Sequence, residues 1–156
     1  MIRVLFVCLG NICRSPMAEA VFQNLVDDEG LSGDIEADSV GTAGWHVGEP
    51  AHPGTRQVLK RNGIPYQGRS RQVTPADLAE SDYVIAMDGS NIDDLRRLDR
   101  QEVLEGKLFR LLDFAPPDSP QDVPDPYYEG NFDYVYELVN ASSRNLLAFI
   151  RQEQGL

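Results

Sequence analysis

The sequence predicts a single α/β domain: a four-stranded, parallel, open sheet flanked by helices on both faces, with a phosphate-binding loop after the first strand. Three observations carry that expectation. Short β-branched apolar runs alternate along the chain with helical segments, and strands separated by helices need parallel crossovers. The turn between the first strand and the first helix has the residues of an anion cradle. The length of 156 residues suits one domain of about 100–200 residues. In such sheets ligands sit at the carboxyl ends of the strands.

The elements follow in order. Ile2 to Val7 reads as a buried parallel strand. A helix starts at Ser15-Pro16, with serine as N-cap and proline at the first helical position. Ala20, Val21, Leu25 and Val26 mark its apolar face, and Gly30 ends it. A second strand is expected at about Ile35 to Val40, then an irregular stretch from Gly41 to Pro53 that holds the single tryptophan, Trp45. A helix at about Gly54 to Asn62 ends at Gly63. Thr74-Pro75 with Asp77 signals another helix start. Tyr83 to Met87 reads as a third strand, Ser90 to Arg100 as a polar helix, Leu108 to Leu112 as a fourth strand and Phe132 to Gln154 as the closing helix.

Charge and composition exclude several function classes. Fourteen basic against 25 acidic residues leave a net charge of −11. Binding to nucleic acid or to an anionic membrane surface draws on Lys and Arg, so neither is expected. If the substrate carries phosphate, its attraction must come from a small local site and not from the field of the whole protein. No stretch approaches the roughly 18 apolar residues of a membrane span, and the N-terminal apolar run is too short for a signal peptide core. A cytoplasmic location is expected. The two cysteines, Cys8 and Cys13, are too few for a secreted disulfide scaffold. His46 and His52 lie far from them in sequence, without the spacing of a metal site. Nothing resembles a coiled coil, and a monomer is expected.

One segment breaks the pattern. Asp113 to Asn131 shows neither strand nor helix periodicity and holds five of the ten prolines. It carries five acids, no base, and the aromatics Phe114, Tyr127 and Tyr128. Long loops in compact domains are commonly functional, and a wall of a binding site is the reading favoured here.

The chemistry concentrates at Cys8-Leu9-Gly10-Asn11-Ile12-Cys13-Arg14-Ser15. Five residues between Cys8 and Arg14 are enough to curl a loop around a tetrahedral oxyanion with its N–H groups pointing inward. The following helix adds the positive end of its dipole. Gly10 permits close backbone approach, and Asn11 tolerates a positive φ. Arg14 supplies a planar fork for two phosphate oxygens. Those groups favour thiolate over thiol at Cys8 and place it for in-line attack on phosphorus. Ser15 is in place to donate its hydroxyl to the sulfur when it leaves. No dinucleotide or nucleoside-triphosphate glycine motif occurs.

The run Val7 to Pro16 resembles the signature of the low-molecular-weight protein tyrosine phosphatases. The resemblance continues through Met17-Ala18-Glu19-Ala20 and returns at Asp38-Ser39, Trp45-His46-Val47-Gly48, Arg71-Gln72-Val73, Ala86-Met87-Asp88, Ser90-Asn91 and Asp125-Pro126-Tyr127-Tyr128. It implies a four-stranded parallel sheet and cofactor-free hydrolysis of phosphotyrosine, in proteins or aryl esters, with inorganic phosphate as product. It also implies a covalent phosphocysteine intermediate with Cys8 as nucleophile, Arg14 as clamp and Asp125 as general acid and then base. Chemistry alone asks for a proton donor to the phenolate but leaves Asp118 and Asp122 open beside Asp125; the family's Asp-Pro-Tyr motif selects Asp125.

By the same resemblance Leu9, Gly10, Ile12 and Cys13 belong to the phosphate loop, and Asn11, Ser15 and Ser39 brace it. Trp45, Tyr127 and Tyr128 form walls for the substrate ring, although packing in the core is the competing expectation for Trp45. Gly68 stands where the family often has a bracing histidine, so a looser brace or a water is expected there. His46 reads as structural and His52 as surface. Isoleucine at position 12, where relatives acting on phosphoarginine have threonine, favours phosphotyrosine. Arginine phosphatase activity and a non-catalytic phosphate-binding module are the alternatives. The extra cysteines of related arsenate reductases are absent. Cys13 lies beside Cys8 across the loop, where a disulfide formed under peroxide would shelter the nucleophile.

Overall fold

Alternate side chains of the first strand are apolar on both faces, and the computed structural model, which describes residues 1–156, buries both. Strand β1 (Ile2–Cys8) lies centrally, paired in parallel with β2 (Ile35–Gly41) on one side and β3 (Tyr83–Ala86) on the other; β4 (Leu108–Arg110) completes the order β2-β1-β3-β4. Successive side chains of a strand point to opposite faces. Val4 and Phe6 therefore join one apolar cluster, and Leu5 and Val7 the other.

The first cluster is closed by α1 (Arg14–Asp28), α2 (Pro53–Arg61) and α6 (Phe132–Gln154), which contribute Met17 and Phe22, Val58 and Leu59, and Val139, Leu146 and Ile150. The second is closed by α3 (Pro75–Glu80) and α4 (Gly89–Leu98) through Leu78, Ile92 and Leu95. The sheet is thus covered on both faces, as the alternating pattern requires. No helix is long and apolar enough to cross a membrane.

Thr74 caps α3 as anticipated: its side chain accepts from the N–H of Asp77, and the Asp77 carboxylate accepts from the N–H of Thr74. Three expectations need correction. Helix α1 begins at Arg14, with Cys13 as an N-cap that makes no side-chain bond, because the Ser15 hydroxyl is engaged elsewhere. The fourth strand stops at Arg110, where the Asp113 carboxylate takes the Arg110 N–H at 2.9 Å and turns the chain into a 3-10 helix, Leu111–Phe114. The segment 113–131 is also not wholly irregular. It ends in a single turn, α5 (Pro126–Glu129), with Asp125 as N-cap, Pro126 at the first position and Gly130 left-handed at its end. These are ordinary helix signals, but four residues are too few to show a period.

Candidate active site

Strand β1 delivers Cys8 to the carboxyl edge of the sheet, where residues 9–13 curl before α1 begins. The carbonyls of this loop are turned outward and held. The N–H groups of Thr42 and Ala43 donate to the oxygens of Cys8 and Leu9, both at 2.9 Å, and the N–H of His52 donates to Ile12 at 2.7 Å. The hydroxyls of Ser70 and Thr55 donate to Gly10 and Cys13, each at 3.0 Å. Turning the carbonyls out turns the amides in. The N–H groups of Leu9, Gly10, Ile12, Cys13, Arg14 and Ser15 have no protein acceptor, and inward amides of this kind form an anion nest. Gly41 makes the curl possible: a Cβ there would stand 2.8 Å from the Leu9 carbonyl oxygen.

Asn11 holds the turn at φ 55°, a left-handed conformation that costs a non-glycine residue about 1–2 kcal/mol. Its side chain is fully engaged. The Arg71 N–H donates to Oδ1 at 3.0 Å, while Nδ2 donates to Ser15 Oγ at 2.8 Å and to Ser39 Oγ at 3.0 Å. The Ser15 oxygen thus already accepts a proton; it lies 3.0 Å from Cys8 Sγ, and its own hydroxyl is also within 3.4 Å of the Val40 carbonyl oxygen. The backbone N–H of Asn11 also donates to that sulfur at 3.3 Å. Asn11, Ser15 and Ser39 are therefore brought together as expected.

Arg14 is 3% exposed. One guanidinium nitrogen donates to Asp88 at 2.6 Å and to the Val123 carbonyl at 3.0 Å, and another lies 3.6 Å from Asp125. Burial opposes its charge, yet Cys8, Asp88 and Asp125 outweigh burial and hold Arg14 more firmly protonated than an ordinary arginine. Asp88 was legible only as part of a resembling segment; its hold on Arg14 was not anticipated. Cys13 behaves differently from its neighbour. Burial first, then the charges of Cys8 and Asp125, push its thiol up to about 12.

Cys8, Arg14 and Asp125 face one cleft of about 130 Å³, floored by the loop and walled by Trp45, His46, Tyr127 and Tyr128. Asp125 is aimed by its cap, accepting from the Tyr127 N–H at 3.1 Å. Trp45 is 71% exposed and Tyr128 75%, so Trp45 is a wall and not a core residue. His52 departs from its surface reading. It caps α2 by accepting from Gly54 N–H, stacks on Phe132 with ring centroids 5.0 Å apart, and meets Tyr127 edge-on at 5.9 Å. His46 bonds Glu49 and leans on Tyr127. Leu9 and Ile12 line the cleft. No cluster of three or more His, Cys, Asp or Glu side chains is arranged to hold a metal ion.

The position of Gly68 is neither loose nor open. Tyr66 fills it: its hydroxyl donates to Glu19 Oε1 at 3.0 Å, and Ser39 donates to the same oxygen at 2.5 Å.

This geometry agrees with what the chain resembles elsewhere. The family model described as "Low molecular weight phosphotyrosine protein phosphatase" matches residues 3–155. The chain is 50% identical, over the full length of both, to the low molecular weight protein-tyrosine-phosphatase YfkJ of Bacillus subtilis. It superimposes on the crystal structure of YfkJ with a TM-score of 0.94, covering 98% of this chain and 96% of that one. It is 46% identical to the low molecular weight protein-tyrosine-phosphatase PtpA of Staphylococcus epidermidis, over 100% of this chain and 98% of that one. A drosophila arginine phosphatase, 31% identical, superimposes with a TM-score of 0.88 over 95% of this chain and 97% of the other. The chain belongs to the low molecular weight phosphotyrosine protein phosphatase family.

Proposed function

We propose that residues 1–156 form one catalytic domain that hydrolyses phosphotyrosine in proteins through a phosphocysteine intermediate. The observation that carries this reading is the sulfur of Cys8 under six inward amides, with Arg14 and Asp125 facing the same cleft. The phosphoryl oxygens sit in the amide nest against the Arg14 fork, where charge developing in the transition state meets fixed donors. The Cys8 thiolate attacks phosphorus, the bond to the aryl oxygen breaks, and Asp125 delivers its proton to the departing phenolate. A water then attacks the phosphocysteine while the Asp125 carboxylate takes its proton. The phosphorus–sulfur bond breaks, Ser15 stabilises the returning thiolate through its hydroxyl, and inorganic phosphate leaves.

The exposed aromatic faces of Trp45, Tyr127 and Tyr128 support an aryl substrate, since such rings at a cleft mouth gain most by covering one another's apolar surface. The likeness to an arginine phosphatase keeps phosphoarginine as a second reading. Against it, Ile12 presents only hydrocarbon to the cleft, with nothing to hydrogen-bond a guanidino nitrogen. A cytoplasmic monomer fits two buried free cysteines, which a reducing compartment preserves. Turnover of phosphotyrosine against phosphoarginine peptides, with p-nitrophenyl phosphate as a reference, tests the proposal. Faster turnover of the phosphotyrosine peptide is expected, preference for phosphoarginine selects the second reading, and phosphate binding without turnover would reduce the protein to a binding module.

A further inference from the structure

A chain of hydrogen bonds runs to the Cys8 sulfur from Tyr66, a residue that does not line the cleft. Tyr66 donates to Glu19 Oε1; Ser39 donates to the same oxygen; Asn11 donates to Ser39 and to Ser15; Ser15 meets Cys8. As far as Ser15, each link has a fixed sense. Glu19 only accepts, so the Ser39 proton points at it and the Ser39 lone pairs are left for Asn11. With Asn11 held at both ends of its amide, its left-handed backbone is held as well.

We infer that Tyr66, acting through Glu19, is the positioning residue that keeps Asn11 and hence the phosphate loop in its attacking geometry. Tyr66 does not approach the reacting atoms. Its phenol stays a donor because burial and the nearby Glu19 raise it above an ordinary tyrosine. Glu19 is itself raised by burial, which opposes its charge; the Ser39 and Tyr66 protons offset part of that penalty. Remove the phenol and Glu19 is left with one donor in a partly buried site, where an under-satisfied carboxylate draws in water or moves. The sequence has made room for the ring. A Cβ on residue 68 would lie 2.2 Å from the Tyr66 hydroxyl and 2.4 Å from its ring carbon, so Gly68 and the Tyr66 side chain occupy one space between them.

The inference rests on the proposed phosphatase reading, and the test separates the two. Tyr66→Phe and Gly68→Ala are compared with the wild type by p-nitrophenyl phosphate kinetics, thermal melting and hydrogen exchange of the amides whose bonds hold the loop, those of Asn11, Thr42, Ala43, His52 and Arg71. For Tyr66→Phe we expect kcat to fall about three- to tenfold, as for one lost hydrogen bond of about 1 kcal/mol, with KM within about twofold. Exchange should quicken at these amides and stay unchanged in β1 and β3. Gly68→Ala, which pushes the phenol from its place, should reproduce the same loss. Unchanged kcat and loop exchange would overturn the inference, as would exchange that quickens uniformly with a matching drop in melting temperature. A wild type without turnover defeats the phosphatase reading alone, because loop exchange still reports on Tyr66.

Discussion

Asp88 holds Arg14 with one oxygen and starts a helix with the other. Its Oδ2 accepts from the guanidinium at 2.6 Å, and its Oδ1 accepts from the Asn91 N–H at 2.8 Å as the N-cap of α4. Arg14 is thereby anchored to the N-terminal end of α4, just after β3. Asp88→Asn keeps the cap and removes the charge. Breaking a fully buried pair costs about 3–5 kcal/mol; with Asp88 partly exposed we expect about 2–3 kcal/mol in urea denaturation, and kcat/KM lower by about tenfold. Unchanged stability would show that Arg14 does not need this partner.

Arg14→Lys retains the charge but loses the planar fork. One positioned transition-state donor is worth about 10²–10³ in kcat, and a fall of that order is expected on p-nitrophenyl phosphate. A lysine enzyme within tenfold of the wild type would mean that charge alone suffices.

Asp125→Ala should show its loss according to the leaving group. General acids contribute about 10²–10⁴, and the full effect is expected on phenyl phosphate, whose phenolate needs a proton. On p-nitrophenyl phosphate, which releases a stabilised anion, the loss is smaller. Equal losses on both would remove Asp125 from the proton-transfer role and bring Asp118 and Asp122 back into consideration.

Glu19 predicts a pH dependence of stability. Burial raises its folded value above the ordinary 4.5, so the native state binds this proton more tightly than the unfolded chain. Stability from that source is fully present below that ordinary value and is lost as pH rises through the raised folded value. Glu19→Gln keeps an oxygen for Ser39 and Tyr66 and removes the titration. Relative to wild type, the glutamine protein should gain stability from about pH 4 to pH 7; a difference constant with pH would refute the assignment.

Alkylation distinguishes the two cysteines. Burial pushes the Cys13 thiol up to about 12, and the thiolate is the reactive form. Iodoacetamide at neutral pH should therefore mark Cys8 and spare Cys13, read by peptide mass spectrometry. Early modification of Cys13 would contradict its burial.

Local signals were readable and distant ones were not. Thr74-Pro75 with Asp77 and the long period of Phe132–Gln154 declare their helices within a few residues. Cys8 to Pro16 shows a cradle because the chemistry and the turn lie in one stretch. Tyr66 and Glu19 stand 47 positions apart, and no period or spacing joins them; only the packing of α1 against the segment before Gly68 does. Ser15 misled for a related reason. A serine before a proline is a good cap in isolation, but here the tertiary structure uses its hydroxyl for Asn11 and Cys8. Helix α5 was hidden by its brevity, and its cap, Asp125, was readable only through the family motif.

The central claim is that the Cys8 sulfur carries the phosphoryl group. Wild-type protein turning over p-nitrophenyl phosphate, quenched rapidly in acid and digested, should yield the Cys8 peptide with one phosphoryl group on sulfur, while Cys8→Ser binds inorganic phosphate and turns over nothing. An active serine variant, or a phosphoryl group found on any other residue, would contradict it.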